Sequence, residues 1–590
     1  MNRAVTDTRT DRLGNKGKHG THVASSNAET NKLGTLVIKN SGWLAIAIII
    51  VGFAVRLICC AFGYLNPDEA EHFNAARANN WLGAYESSHM LAHPPLLILV
   101  LHGILLFGRS ELILRIPSLT AGTLALWLTF AWIRRSLGQI PALAGLVFLA
   151  LSPAAIAASI EVRQYGLLLC FVCGALYATE RTFTERSTAC AVVQGLCLLG
   201  AVLTHYTAPV VVASLGLYVL LRYLSGGIPL RILSVFGACQ LVLATVLVWL
   251  YVSHVRGNPL FGHASLSYLD HGFMGARETL PGFVWRSLFG TFSYLVSHRL
   301  APLAVLVFLA GLATLLSSRT KARLLLFLML ISPFVVGFVA AICRVLPFAG
   351  DRHQTYLLPF VAAGFSAVLT SMRRSLAATF LLLGVLLASV GATLTTREYK
   401  SRILPIGDMA AAIAYMEGNI PRDAWLFVDD QTRYLLGYYL ARNDSSLYLL
   451  PEPMAFPVVE ELRGYRVVTP RKWVWSFIPN ETIAQMSEAT RVLGVPPSDS
   501  LWIVSAGWRG GALASQLPAG SYHYAKEFGK ISVINLGRAS KGPHAGFACP
   551  GPRRSSLGSP WRSYHPITTT IPMPVPVAAT TTLFAGNRTF

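Results

Sequence analysis

The sequence predicts a mainly α, polytopic membrane bundle followed by a small α/β domain, on three observations. The 590 residues are 53% hydrophobic and only 13% charged, about half the charged fraction of a soluble globular chain. Apolar runs near twenty residues long recur along the first two thirds of the chain, the length a helix needs to cross a bilayer. After about residue 396 those runs give way to alternating helix-like and strand-like segments, the pattern of an α/β unit. The formal net charge is +21. No basic stripe with interleaved aromatic residues accompanies it, which argues against a nucleic-acid partner. The basic residues lie largely between apolar runs, where they orient a membrane protein.

In chain order, residues 1–42 are a polar leader rich in Thr, Asn, Gly and Lys, expected to be disordered and cytoplasmic. The leader is too long and too mixed for a signal-peptide n-region, so the first apolar run, Trp43–Phe62, reads as a retained span. Residues 43–395 read as the membrane domain, with about eleven spans from Trp43–Phe62 to Leu376–Leu394, among them Ile140–Ile160 and Tyr356–Thr370. Its first outer loop covers 63–112. Within that loop Pro94–Phe107 is apolar but short for a span. Charge decides its placement. If it lies in the interface, Arg134-Arg135, Arg181, Arg186, Arg222, Arg231, Arg319, Lys321, Arg323 and Arg373-Arg374 all face the same side as the basic leader. The positive-inside rule favours that arrangement, with Pro94 and Pro95 suited to a first helical turn. The expected topology is a multi-pass plasma (inner) membrane protein with its N-terminus inside and its C-terminal domain outside.

Residues 396–537 read as an extracytoplasmic α/β domain. Asp408–Gly418 and Gln431–Ala441 look helical, and Trp425–Val428, Leu501–Ser505 and Ile531–Ile534 look like strands. Residues 538–590, rich in Pro, Thr, Ser and Gly, are expected to be disordered. The nine cysteines show no secreted-disulfide pattern. Cys170 and Cys173 share a helix face, but a lone pair completes no zinc site, and small apolar packing explains them.

The chemistry-bearing residues gather, in this topology, on the outer face. Asn66-Pro67-Asp68-Glu69 reads as a helix start, with Asn66 the cap, Pro67 at N1, and the acids at the positive end of the dipole. That geometry is compatible with a general base, because a carboxylate shielded by lipid and protein has its pKa raised toward working pH. His93 serves either as a cap before Pro94 or as a polar ligand in a cleft. Glu161 and Arg163 either pair at a span boundary or contact substrate, and Tyr165 suits the interfacial aromatic belt. His205-Tyr206 is of the same kind. Arg352-His353 beside Asp351 forms either a salt-bridged loop or a cationic pocket for phosphate. Arg56 inside the first span must face the bundle or a polar cleft. One acid pair with several cations, opening onto lipid, suits a phosphorylated lipid substrate reacting with a polar acceptor.

These motifs resemble a known family. Asp68-Glu69-Ala70-Glu71, His93-Pro94-Pro95-Leu96, Gly108-x-Ser110-Glu111-x-x-x-Arg115-x-Pro117-Ser118, Ser152-Pro153, Glu161-x-Arg163-x-Tyr165, His205-Tyr206 and Arg352-His353-x-x-Tyr356-Leu357-Leu358-Pro359 occur in order over residues 43–395. The set is similar to the GT-C membrane glycosyltransferases, in the bacterial branch that includes protein mannosyltransferases, the aminoarabinose transferase and rhizobial lipopolysaccharide-core transferases. The resemblance implies sugar transfer from a polyprenyl-phosphate donor to an extracytoplasmic glycolipid, glycan or protein. It also implies interfacial helices in the first outer loop that form part of the active site. It carries the acceptor-side acid onto Asp68, with Glu69 as its partner, and by matching position puts Arg352 or His353 at the donor phosphate.

The expected site is therefore Asp68 and Glu69 as catalytic acids, with His93, Glu161, Arg163, Tyr165, His205, Arg352 and His353 as substrate ligands. A lipid phosphate is already a stable leaving group. The reaction then asks for one base and for cations at the phosphate, and no cofactor is required. A divalent metal is compatible with this chemistry, but no ligand set indicates one. A flippase for lipid-linked sugars is the rival reading, and it calls for ionisable residues near the bilayer midplane on broken helices.

Overall fold

The computed structural model describes residues 35 and 37–538, apart from 92, 227, 257, 259–268, 373–375, 378–383, 385–404, 445–446, 448, 450–455, 472–480, 508–512 and 519. The leader before residue 35, Arg373-Arg374, most of the expected last span and the tail from 539 lie outside the described residues.

The architecture is mainly helical. Among the described residues five helical segments are long and apolar enough to cross a membrane: α1 (Ser41–Phe62), α5 (Glu111–Leu137), α8 (Tyr165–Glu185), α11 with its terminal π turn (Leu230–Val255) and α14 (Lys321–Ile342). The expected span Ile140–Ile160 is two helices, α6 (Gln139–Leu151) and α7 (Pro153–Ile160), bent by 59°. Helices α9 (Thr188–Thr204), α10 (Ala208–Leu224) and α13 (Ala301–Ser317) are apolar and 17 residues long. Short of the roughly twenty residues of a full crossing, they explain why fewer spans pass on length than the apolar runs suggested. Expected span Tyr356–Thr370 is a composite: a 3-10 turn, Arg352–Leu357, then α15 (Leu358–Ala367), then a 3-10 turn, Val368–Ser371. Leu357, Leu358, Phe360, Val361 and Ala362 are fully buried, so this segment lies in the interior of the bundle. Helix α13 can approach α15 closely because Gly311 and Gly364 face each other; a Cβ at Gly311 would lie 1.9 Å from the Gly364 carbonyl oxygen.

The break in the third span shows how a charge is held within the bundle. Pro153 has no N–H, so the carbonyl of Leu149 loses the donor that a continuous helix would supply. Arg56 of α1 replaces it. Its Nη2 donates to Leu149 O at 3.1 Å, its Nη1 to Ala150 O and Gly52 O at 3.0 Å, and its Nε to Ser159 Oγ at 3.1 Å. Arg56 is fully buried, facing the bundle as expected.

Between the first two long apolar helices lie three short ones: α2 (Pro67–Ala76), α3 (Trp81–Met90) and α4 (Leu96–Ile104). Pro94–Phe107 is thus a nine-residue helix and its flanks rather than a crossing. Helix α12 (Leu280–Leu295) follows α11 and precedes α13 in the chain. Beyond residue 405, α16 (Ile406–Asn419), β1 (Trp425–Phe427), α17 (Asp430–Ala441), β2 (Val458–Leu462), β3 (Tyr465–Thr469), α18 (Thr482–Leu493), β4 (Ser500–Ser505), β5 (Tyr524–Phe528) and β6 (Ile531–Arg538) follow. The six strands form one mixed sheet in the order β2-β3-β1-β4-β6-β5, with β1 parallel to β3 and β4. Leu426, Val467, Trp502 and Val533 pack with Met416 and Leu436 on one face. Phe427, Val468, Ile503 and Ile534 pack with Met486 and Ala489 on the other. Burial on both faces makes these strands continuous apolar runs, and so the central ones were readable.

Helix α17 joins the sheet to the first loop. Asn74 Nδ2 donates to Tyr434 O at 3.1 Å, Arg77 Nη2 to Ala441 O at 3.0 Å, and the Leu65 N–H to Tyr439 Oη at 2.8 Å. Phe73, Leu101, Leu114, Val162, Leu435 and Tyr438 share one apolar core.

Replacing Arg56 with Met removes the donor to two helix-end carbonyls. The expected loss is roughly 2–4 kcal/mol, read as a lower thermal midpoint of the purified protein. An unchanged midpoint would mean that the broken span finds other donors.

Candidate active site

The site is built on the capped start of α2. Asn66 Oδ1 accepts the Glu69 N–H at 2.9 Å, while Glu69 Oε2 accepts the Asn66 N–H at 2.8 Å. Pro67 occupies N1, where its missing N–H costs nothing. The same Glu69 carboxylate accepts Arg115 Nε at 3.1 Å, Arg115 Nη2 at 3.0 Å, and the Val162 N–H at 2.8 Å. Arg115 spends its remaining donors on the carbonyls of Cys60, Gly63 and Tyr64. Glu69 was expected to act as the catalytic partner of Asp68. Buried, and saturated by four donors, it is instead placed as an anchor that ties α2 to α1, α5 and the 161–164 turn.

Asp68 is placed differently. Its side chain is 22% exposed, and its Oδ2 pairs with both Arg163 and Arg352, the latter at 2.8 Å. Both contacts fall on Oδ2. Arg163 comes from the turn between α7 and α8, and Arg352 from the 3-10 turn before α15, 284 residues along the chain from the Asp68 oxygen it meets.

Around this centre stand four imidazoles. His72, one turn after Asp68, points Nδ1 at the Asp68 carbonyl oxygen and stacks on His93 with centroids 5.2 Å apart. His205 packs against Tyr165 at 5.3 Å and His353 at 5.6 Å, and Arg163 lies 5.5 Å from the Tyr165 ring centre. Burial, reinforced by the Arg352 charge, lowers His72 to about 4. Burial also holds His93 well below the ordinary histidine range, with help from His72, Arg352 and His353. For His205 the cause is again burial, then His353, His93, Arg163 and Arg352.

The loop that delivers Arg352 and His353 depends on Gly350. Its φ is +77°, and a Cβ there would lie 1.9 Å from the Gly290 carbonyl carbon on α12, so only glycine fits. Asp351 then caps the 3-10 turn through the His353 N–H and also accepts His353 Nδ1, both at 2.8 Å. Burial alone would raise the Asp351 carboxyl, but the His353 contacts carry it below its ordinary value.

Asp68, His93, Arg163, Tyr165, His205, Arg352 and His353 therefore converge. Glu161 ends α7, its carbonyl accepts the Arg163 N–H at 2.7 Å, and its carboxylate is within electrostatic reach of Tyr294. Arg115 and His72 were not among the expected site residues. An arginine inside an apolar run was the signal for Arg115. For His72 the signal was its spacing of four from Asp68, which puts both on one helix face. Among the described residues no group of three or more His, Cys, Asp and Glu side chains is arranged to hold a metal ion.

The depressed His72 pKa has a signed consequence. Below about 6.5 the unfolded chain binds a proton that the folded site refuses until about pH 4. Stability is therefore present above pH 6.5 and falls on acidification, by roughly 2 kcal/mol at about pH 5 from this group. Melting curves from neutral pH to pH 5 should be steeper for the wild type than for His72→Gln; equal slopes would show that His72 is not the titrating group.

The family described as dolichyl-phosphate-mannose-protein mannosyltransferase matches residues 92–251, a stretch that contains His93, Arg163, Tyr165 and His205. No curated protein matches the chain. Among solved structures, ArnT from Cupriavidus metallidurans bound to undecaprenyl phosphate aligns at 14% identity and TM-score 0.48, covering 84% of this chain and 98% of that one. AglB from Archaeoglobus fulgidus, in complex with an inhibitory peptide and a dolichol-phosphate, aligns at 12% identity and TM-score 0.44, covering 79% and 70%. The S. cerevisiae Pmt1-Pmt2 complex bound to the sugar donor aligns at 17% identity and TM-score 0.30, covering 39% and 36%. The resemblance read from the motifs stands: over residues 92–251 the chain is similar to mannosyltransferases, and through them to membrane glycosyltransferases of the GT-C kind.

Proposed function

We propose that this chain is an integral-membrane glycosyltransferase that moves a sugar from a polyprenyl-phosphate donor to an extracytoplasmic acceptor, a glycolipid, glycan or protein. One observation carries the reading: the Asp68 carboxylate sits between two guanidiniums, Arg163 and Arg352, at a partly open position. Two cations and one anion leave a local formal charge of +1, which matches the single negative charge of a phosphodiester donor. In this reading the carboxylate occupies the seat of the donor phosphate. Arrival of the phosphate draws the guanidiniums onto its oxygens and releases Asp68 from the pairing that would otherwise weaken it as a base.

The chemistry follows from that exchange. Asp68 takes the proton of the acceptor hydroxyl as its oxygen attacks the anomeric carbon. The bond between that carbon and the phosphate oxygen breaks, and the prenyl phosphate leaves as a dianion. Arg163 and Arg352 face the charge that develops there. His93, His205 and His353, with Tyr165, supply hydrogen-bonding groups for the sugar and phosphate, and Glu161 sits at the edge of this set. Glu69 and Arg115 hold Asp68 in place. This route asks for no metal, because arginines meet the phosphate charge. The site lies on the outer side of the membrane in this reading, with the N-terminus inside.

Arg56 bears on the rival flippase reading. It is the ionisable residue expected within a span, and it does sit at a broken helix. Its donors are committed to helix carbonyls and Ser159, which is a structural use of the charge.

In membranes supplied with a radiolabelled polyprenyl-phosphate sugar, Asp68→Asn is expected to lower kcat by about a hundredfold or more and to lower donor KM, because the two guanidiniums no longer pair with a competing carboxylate. Arg352→Gln is expected to raise donor KM by about 10–100-fold. Full turnover by folded Asp68→Asn, or flux of lipid-linked sugar across proteoliposomes without transfer, would overturn the assignment.

A further inference from the structure

A second polar cluster lies where α3 meets the end of α11. There the helix widens into a π turn, Tyr251–Val255, a distortion often found at functional positions. Asn258 clips the two elements together, its Nδ2 donating to His89 O at 2.9 Å and to His254 O at 3.2 Å. His254 is fully buried between aromatic faces: Tyr85 and His89 each at 5.3 Å between ring centres, and Trp249 at 5.8 Å.

The hydrogen bonds around His254 determine its tautomer. Ser253 Oγ donates its one proton to Trp249 O at 2.7 Å. The 2.9 Å contact between Ser253 Oγ and His254 Nδ1 must then be donated by the imidazole. Nε2 is left as a bare acceptor, buried and without a hydrogen-bond partner among the described residues. An orphaned acceptor of this kind is unfavourable until a donor reaches it. Beside it Tyr85 and Trp249 stack at 6.1 Å and 19°, with Trp249 43% exposed. A hydroxyl donor next to an apolar ring face is the surface of a saccharide, and flat aromatic side chains are the groups that receive it.

We propose that this joint is a saccharide-binding subsite, formed by Tyr85, Trp249 and His254, that seats the acceptor. The word acceptor rests on the transferase reading above; the binding itself does not. The subsite borders the Asp68 centre at two points. The His93 N–H donates to the carbonyl of Ser88, the neighbour of His89, at 3.1 Å, and Tyr85 is within electrostatic reach of Tyr206, the neighbour of His205. An acceptor held here by its sugar ring favours a glycan or glycolipid over a polypeptide.

The test is saturation-transfer NMR on the full-length protein in lipid nanodiscs, with methyl α-glycosides of mannose, glucose and galactose as probes. No turnover is needed, so failure here is separate from failure of the transferase assay. At least one glycoside should receive saturation on its ring protons. That signal should fall at least about threefold in Trp249→Leu and in His254→Leu, and persist in Arg352→Gln. Trp249 is half exposed, so its variant decides the matter if the buried His254 variant fails to fold. No signal from any glycoside, or a signal that survives Trp249→Leu and disappears in Arg352→Gln, overturns the subsite.

Discussion

The ion pair between Glu69 and Arg115 is the constraint on which the rest of the site depends. Both groups are almost wholly buried, and two charges removed from water are stable only if every lone pair and proton is matched. Here they are. The carboxylate collects donors from Asn66, Val162 and Arg115, and the guanidinium spans the last carbonyls of α1. Four segments that diverge in sequence are thereby held at one point. Asp68 is the residue next to that point, so its location follows from a neighbour that takes no part in the proposed proton transfer.

Adjacent carboxylates with different surroundings are the central electrostatic feature. Neighbours on a helix point about 100° apart, so Glu69 turns into the protein while Asp68 turns toward an opening. The first is saturated. The second has both guanidiniums on one oxygen, the pairing that the proposed donor phosphate would replace. The four imidazoles nearby add hydrogen-bonding capacity, and for His72, His93 and His205 burial and neighbouring cations disfavour the charged form. Arg163 and Arg352 supply the positive charge that meets Asp68.

The sheet region is more than an appended module. Helix α17 packs on α2, and its carbonyls receive Asn74 and Arg77 from the helix that bears Asp68. The helix that bears Asp68 and the edge of the sheet region share one apolar core. Motion of α17 would therefore be felt at α2, a coupling that no local sequence pattern could announce.

Much was legible from the chain alone. Low charge and long apolar runs require lipid as solvent, and the capped Asn66-Pro67-Asp68-Glu69 start is a local matter of side-chain and backbone chemistry. The central strands declared themselves because both their faces are buried. Strands β2, β3 and β5 and helix α18 went unread. Exposed polar positions break the apolar run in β2 and β5, and β3 opens the other way, from a turn rather than an apolar stretch. Tertiary structure alone decided which acid is anchor and which is open, that His72 belongs to the site, and that Arg163 and Arg352 share an oxygen. Those facts depend on through-space partners separated by tens to hundreds of residues. A sequence records which charges exist; only packing determines which of them are already neutralised.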